Sequence, residues 1–218
     1  HGVYGVDQDM ALVTDEIEPL SGLLVRSLYG TSTSSLTPSS YLLDGIDNLV
    51  FDIQDVGSRY YTFIYTLANC MKTCAQSNTR MIVCDRPNPI NGLAVEGNLV
   101  EKEFYSFVGQ YPIPNRHGMT VGELARLFNE HFGIKCDLKV IPMEGWERSM
   151  WYDQTGLSWV SPSPNMPTLS TATVYPGMCL VEGTLLSEGR GTTLPFEQVG
   201  APYINAEVFA KTLNKENL

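Results

Sequence analysis

One segment limits the fold of this chain more than any other. Residues 48–56, NLVFDIQDV, are a short, largely apolar run with β-branched positions, the mark of a buried strand. RYYTFIYTLANCMKTCAQSN follows at 59–78, with Tyr60, Phe63, Ile64, Leu67, Met71 and Cys74 on one helical stripe. Residues 80–85, RMIVCD, then form a second short strand. Strand, helix and strand with tight joints make a βαβ unit, so the strands should run parallel with a right-handed crossover. LLVRSL at 23–28 and a short helix near PSSYLLDGI are expected to extend the same sheet.

The next segment, RPNPINGLAVEGNLVEKEFYSFVGQYPIPNRHG, is too rich in Pro, Gly and Asn for a regular element. Irregular stretches of this length in compact domains are uncommon and often functional. It ends at a helix start, where Thr120 and Glu123 have capping-box spacing. Leu124, Leu127, Phe128 and His131 form the expected apolar side, with His131 in the core, and Gly133 is the stop. DLKVIPM reads as a further strand. After about residue 145 the character changes to aromatic and proline-rich loops, closing on a helix at NAEVFAKTLNKEN with nothing to pack on. This reads as the start of a second domain that the chain does not complete.

Composition narrows the function classes. With 14 basic and 24 acidic side chains the net charge is −10, which argues against non-specific nucleic-acid binding. No run approaches the roughly 18 apolar residues of a membrane helix, so no membrane span is expected. Cys70, Cys74, Cys84, Cys136 and Cys179 have no disulfide-framework or zinc spacing and read as buried thiols, with Cys70 and Cys74 facing one core. The dinucleotide fingerprint Gly-x-Gly-x-x-Gly, the P-loop pattern, the Gly-x-Ser-x-Gly elbow and His-Glu-x-x-His are all missing. No cofactor and no metal are therefore expected, which leaves carboxylate chemistry.

Ligands of open parallel sheets bind beyond the carboxyl ends of the strands. That edge should carry Gln54-Asp55 and Asp85-Arg86, and Asp55, Glu96 and Glu188 are the loop or strand-end acids to weigh. A polar site is one reading. In the other, Asp55 caps a turn and Asp85 pairs with Arg86 or Arg59. Arg59, Arg86, Arg116 and Arg190 lie in polar loops of an acidic chain, which suits recognition of an anion such as a carboxylate, or simple loop bracing. SEGRGTT could present backbone N–H groups to an anion, or be only a turn. His117, beside Arg116, is the histidine of interest.

Taken together, DIQDVGSRYYT (52–62), CDRPNPINGLAVEGN (84–98), SFVGQYPIPNRHGMTVGELA (106–125), SPSPNMPT (161–168) and SEGRGTTLPFE (187–197) resemble the NamZ-like exo-β-N-acetylmuramidases. The resemblance covers nearly the whole chain. It implies an α/β fold, with a Rossmann-like parallel sheet and helices on both faces over 1–145. The start of a smaller α/β auxiliary domain would follow at 146–218, with the site between the two. It implies a glycoside hydrolase that removes terminal N-acetylmuramic acid from the non-reducing ends of peptidoglycan fragments. The lactyl carboxylate of that sugar would then be a partner for the arginines, and export would place the protein outside the cytoplasm.

The family's Pro-Glu-His-Gly motif, whose glutamate is the suspected acid, would end at His1-Gly2, so the chain is expected to be an inactive and poorly folding fragment. Asp55 and then Glu188 are the catalytic candidates. His1, Gln54, Arg59, Asn88, Arg116, His117, Asn165 and Arg190 are the candidates for holding the sugar. A binding protein without catalysis, or a hydrolase of another amino sugar, are the alternatives.

Overall fold

The computed structural model describes residues 13–29 and 32–216. Its strands are β1 (Glu16–Ile17), β2 (Leu24–Val25), β3 (Asn48–Phe51), β4 (Arg80–Cys84) and β5 (Leu138–Ile141). Its α-helices are α1 (Phe63–Ser77), α2 (Val121–Arg126), α3 (Leu169–Met178) and α4 (Ala206–Leu213). Among the described residues, no helix is long and apolar enough to cross a membrane.

The expected βαβ unit is present. β3, β4 and β5 form a parallel sheet in that order, with Phe51 opposite Val83 and Cys84 opposite Ile141. Alternation along each strand decides what is buried. Phe51, Met81 and Val83 are buried and pack with Leu49 and Val140 against α1 and α2. Val50, on the other side of the pleat, is 56% exposed. Ile64, Leu67, Met71 and Cys74 carry the stripe of α1 into that core, joined by Leu124 and Phe128. Each such side chain contributes about 1.5–3 kcal/mol by leaving water. The helix starts at Phe63 rather than at Tyr60, because residues 56–61 are drawn into the turn that builds the site.

Three expectations are corrected. Residues 23–28 do not extend the main sheet. Leu24–Val25 instead pairs antiparallel with Glu16–Ile17 in a separate two-stranded ribbon. A local hairpin wins there because the Glu18 carboxylate accepts the N–H groups of Leu20 and Ser21 and fixes the turn. The segment near Ser40–Leu43 is a single 3₁₀ turn that anchors Leu43 in the core. Finally, α2 passes into a π turn at Leu127–His131, and His131 is exposed. The wider turn accommodates one extra residue and rotates the following side chains. Phe128 and Phe132 then close on Tyr111 with ring centroids 4.7 Å away in each case, and the imidazole is left outside.

Cys70, Cys74 and Cys136 are buried, whereas Cys84 and Cys179 are only partly so. Burial pushes the Cys70 thiol up to about 12. A second, smaller core joins Val56 and Tyr61 from the β3 end to Met166, Ala172, Tyr175 and Phe196. No residue of α4 is buried.

Candidate active site

Three segments meet beyond the carboxyl ends of β3 and β4. Residues 54–58 leave β3, residues 85–88 leave β4, and residues 115–118 return from the long loop. Backbone contacts hold them side by side: Ser58 bridges Arg116, Arg116 bridges Glu96, and Arg59 N–H donates to Asn115 O at 2.8 Å. Gln54 ties the two strand ends together, its Nε2 donating to Asp55 O at 2.7 Å and to Pro87 O at 2.9 Å.

Asp55 sits at the centre and is buried. Its Oδ2 accepts the Gly57 N–H at 2.8 Å and lies 3.2 Å from His117 Nε2. Thus Asp55 caps its own turn, as one reading of the sequence held, and also engages a histidine 62 residues away. Gln54 Oε1, Asp55 Oδ1 and Asn115 Oδ1 are buried oxygens with no hydrogen-bond partner among the described residues. Buried polar atoms are nearly always paired, so these oxygens retain capacity for an ordered water or another donor.

Asp85, the acid at the second strand end, has a structural part. Its carboxylate accepts from Gly122 N–H, Thr120 Oγ1 and Arg86 N–H at 2.7, 3.1 and 3.0 Å, anchoring the start of α2 to β4. The pairing with Arg86 or Arg59 side chains does not form. Arg86 pairs with Asp52 instead. The expected capping box of Thr120 and Glu123 is complete.

The candidates for holding a sugar divide. Asn88 is buried and donates to Met119 O while accepting from Ile90 N–H, so it braces the loop. Arg116 pairs with Glu96 at 2.7 Å, donates to Ile90 O and lies over the Trp151 ring. His117 has a fully buried side chain with both nitrogens engaged. Arg59 Nη1 donates to Asn98 O and Ile113 O, and no carboxylate pairs with it among the described residues. His1 lies outside the described residues.

Asn165, Glu188 and Arg190 form a second group. Asn165 Oδ1 accepts from Gly191 N–H at 3.0 Å, and Arg190 pairs with Glu182 and, at 3.5 Å, with Glu188. The SEGRGTT segment turns here, with Arg190 over the Phe196 ring. Tyr60 donates its hydroxyl to Pro176 O in α3. Burial pushes this phenol up to about 12.

Sequence reasoning missed Ser58, Asn115 and Trp151. The Asp-x-Gly spacing of Asp55 and Gly57 is a legible turn signal, but nothing marks Trp151 as a partner of Arg116. A cavity of about 400 Å³ beside α2, lined by Met119, Glu123, Arg126, Leu127, Glu130, His131 and Arg148, contains none of the expected site residues.

Fold and site define an α/β protein with a carboxylate-centred polar site at the carboxyl edge of a parallel sheet. Family models give this class a name. The model for the N-terminal part of the exo-β-N-acetylmuramidase NamZ matches residues 1–170, and that for its C-terminal part matches residues 173–218. The chain belongs to the NamZ family. It is 49% identical over its whole length to the peptidoglycan β-N-acetylmuramidase NamZ of Bacillus subtilis (strain 168), of which it covers 52%. The chain thus spans about half the length of the curated relative it matches.

Two crystal structures of DUF1343 family proteins from Bacteroides fragilis NCTC 9343 share the fold. The first has a TM-score of 0.84 and 43% identity, covering 92% of this chain and 52% of that one. The second has a TM-score of 0.77 and 38% identity, covering 87% and 51%.

Proposed function

We propose that these residues belong to an exo-acting glycoside hydrolase that releases terminal N-acetylmuramic acid from the non-reducing ends of peptidoglycan fragments. One observation carries the reading: a buried carboxyl, Asp55, has one oxygen unpartnered among the described residues, at the strand ends of a NamZ-family sheet. Glycoside hydrolysis needs an acid for the leaving oxygen and a second polar group at the oxocarbenium-like centre. Asp55 takes the second part.

The arginines support the choice of sugar. Arg86, Arg116 and Arg190 are each balanced by a carboxylate of the chain itself. Arg59 has no such partner among the described residues and is the one of the four suited to a substrate carboxylate. Because peptidoglycan lies outside the cytoplasmic membrane, the reading puts the protein there too.

The test uses the full-length protein and a chromogenic N-acetylmuramic acid glycoside. Hydrolysis is expected, with Asp55→Asn slower by about 10²–10⁴-fold. Wild-type turnover in Asp55→Asn removes Asp55 from the reaction. Binding without hydrolysis points to a carbohydrate-binding protein, and equal turnover of an N-acetylglucosamine glycoside points to a different amino sugar.

A further inference from the structure

A histidine holds one side of the Asp55 carboxyl, which matters to the reaction if Asp55 has the part proposed above. A neutral imidazole carries one ring proton, and its position is set by what the other nitrogen does. His117 Nδ1 accepts the backbone N–H of Met119 at 3.1 Å. An accepting nitrogen has no proton of its own, so the ring proton is on Nε2. Nε2 faces Asp55 Oδ2 at 3.2 Å, which fixes the direction of that bond: imidazole donates and carboxylate accepts.

The lock is local and needs a glycine. Met119 N–H reaches the ring of a residue only two positions back because Gly118 between them has a φ of +64°. A Cβ at Gly118 would lie 2.9 Å from Ala94 O and 3.2 Å from Gly92 O, so backbone crowds this turn as well. The turn thus holds the imidazole with its N–H aimed at Asp55.

We propose that His117 is a positioning residue that acts through Asp55, as a neutral imidazole with its proton on Nε2. Oδ2 of Asp55 is then occupied twice, by His117 Nε2–H and by Gly57 N–H. Oδ1 is left as the one oxygen of the carboxyl with no partner among the described residues. The His117 side chain is itself fully buried.

The test is made in the full-length enzyme with the muramic acid glycoside. His117→Gln keeps an N–H where Nε2 stands, whereas His117→Phe keeps only the ring shape. His117→Phe should lower kcat by about 10- to 100-fold, the loss expected for a hydrogen bond to a charged group. KM should stay within about threefold, and His117→Gln should recover most of the rate.

The variant Asp55→Asn/His117→Phe should be no slower than Asp55→Asn. Nitrogen-15 spectra, assigned by the signals lost in His117→Gln, should show the Nε2–H tautomer. Equal losses in His117→Gln and His117→Phe, or an Nδ1–H tautomer, overturn the proposal. An inactive Asp55→Asn with a fully active His117→Phe keeps the reading of Asp55 and removes His117 from it. A fully active Asp55→Asn removes that reading itself.

Discussion

Replacing Gly57 by alanine tests the construction of the site in a single step. Gly57 has a φ of +82°, in the left-handed region, where an L-residue is strained by about 1–2 kcal/mol. A Cβ there would also lie 2.6 Å from Asn88 Oδ1 and 2.7 Å from Ile90 Cγ1. Both neighbours are buried and cannot swing aside, so overpacking adds about 1–3 kcal/mol. The sum is about 2–5 kcal/mol, centred near 3.5.

Gly133 is the matched control, because its φ is +75° and nothing lies within 4 Å of its would-be Cβ. Gly133→Ala therefore carries the strain alone, about 1–2 kcal/mol. For a domain of this size each kcal/mol moves the melting temperature by about 2–4 °C. Thermal melts followed by circular dichroism should place Gly57→Ala about 10 °C below wild type and Gly133→Ala about 4 °C below. Identical melting temperatures for the two variants would show that Asn88 and Ile90 do not close on Gly57, and the packing argument would fall.

Thr120→Ala removes the N-cap of α2 and one donor to Asp85, and should lower stability by about 1 kcal/mol in urea unfolding; an unchanged midpoint refutes the anchoring of α2. Cys70 and Tyr60 are both raised to about 12 by burial, from ordinary values of 9.0 and 10.0. The folded state holds their protons more tightly, so the stabilisation is complete below pH 9 and lost as pH rises towards 12. The urea midpoint should fall between pH 8 and pH 10.5, and a constant midpoint counts against that burial. Partly buried Cys84 and Cys179 should react with a thiol reagent before buried Cys70, and Cys84→Ser/Cys179→Ser should remove that fast phase while Cys70 stays protected. Arg59→Met should raise KM for a muramic acid glycoside by about tenfold or more, as loss of a charge-assisted bond requires; an unchanged KM removes Arg59 from carboxylate recognition.

The parallel βαβ unit is legible in the residue pattern, because strand, helix and strand periodicities follow one another with tight joints between 48 and 85. The sequence by itself determined the start of α2, because a capping box is a contact between residues three apart. It also marked Gln54-Asp55 and Asp85-Arg86 as polar groups at one edge, since strand ends locate that edge.

Contacts between distant segments are invisible to such local patterns and come only with packing. Asp85 and Asp55 look alike in sequence, each an acid at a strand end. One anchors a helix through Gly122 and Thr120, and the other faces His117 with an oxygen to spare. His131 looked internal until a π turn, packed by Tyr111 and Phe132, rotated it outwards. The arginines were equivalent until their carboxylate partners were known. A residue's type fixes what bonds it can make, but only the packed neighbours determine which of those bonds are already made and which atoms remain for a ligand.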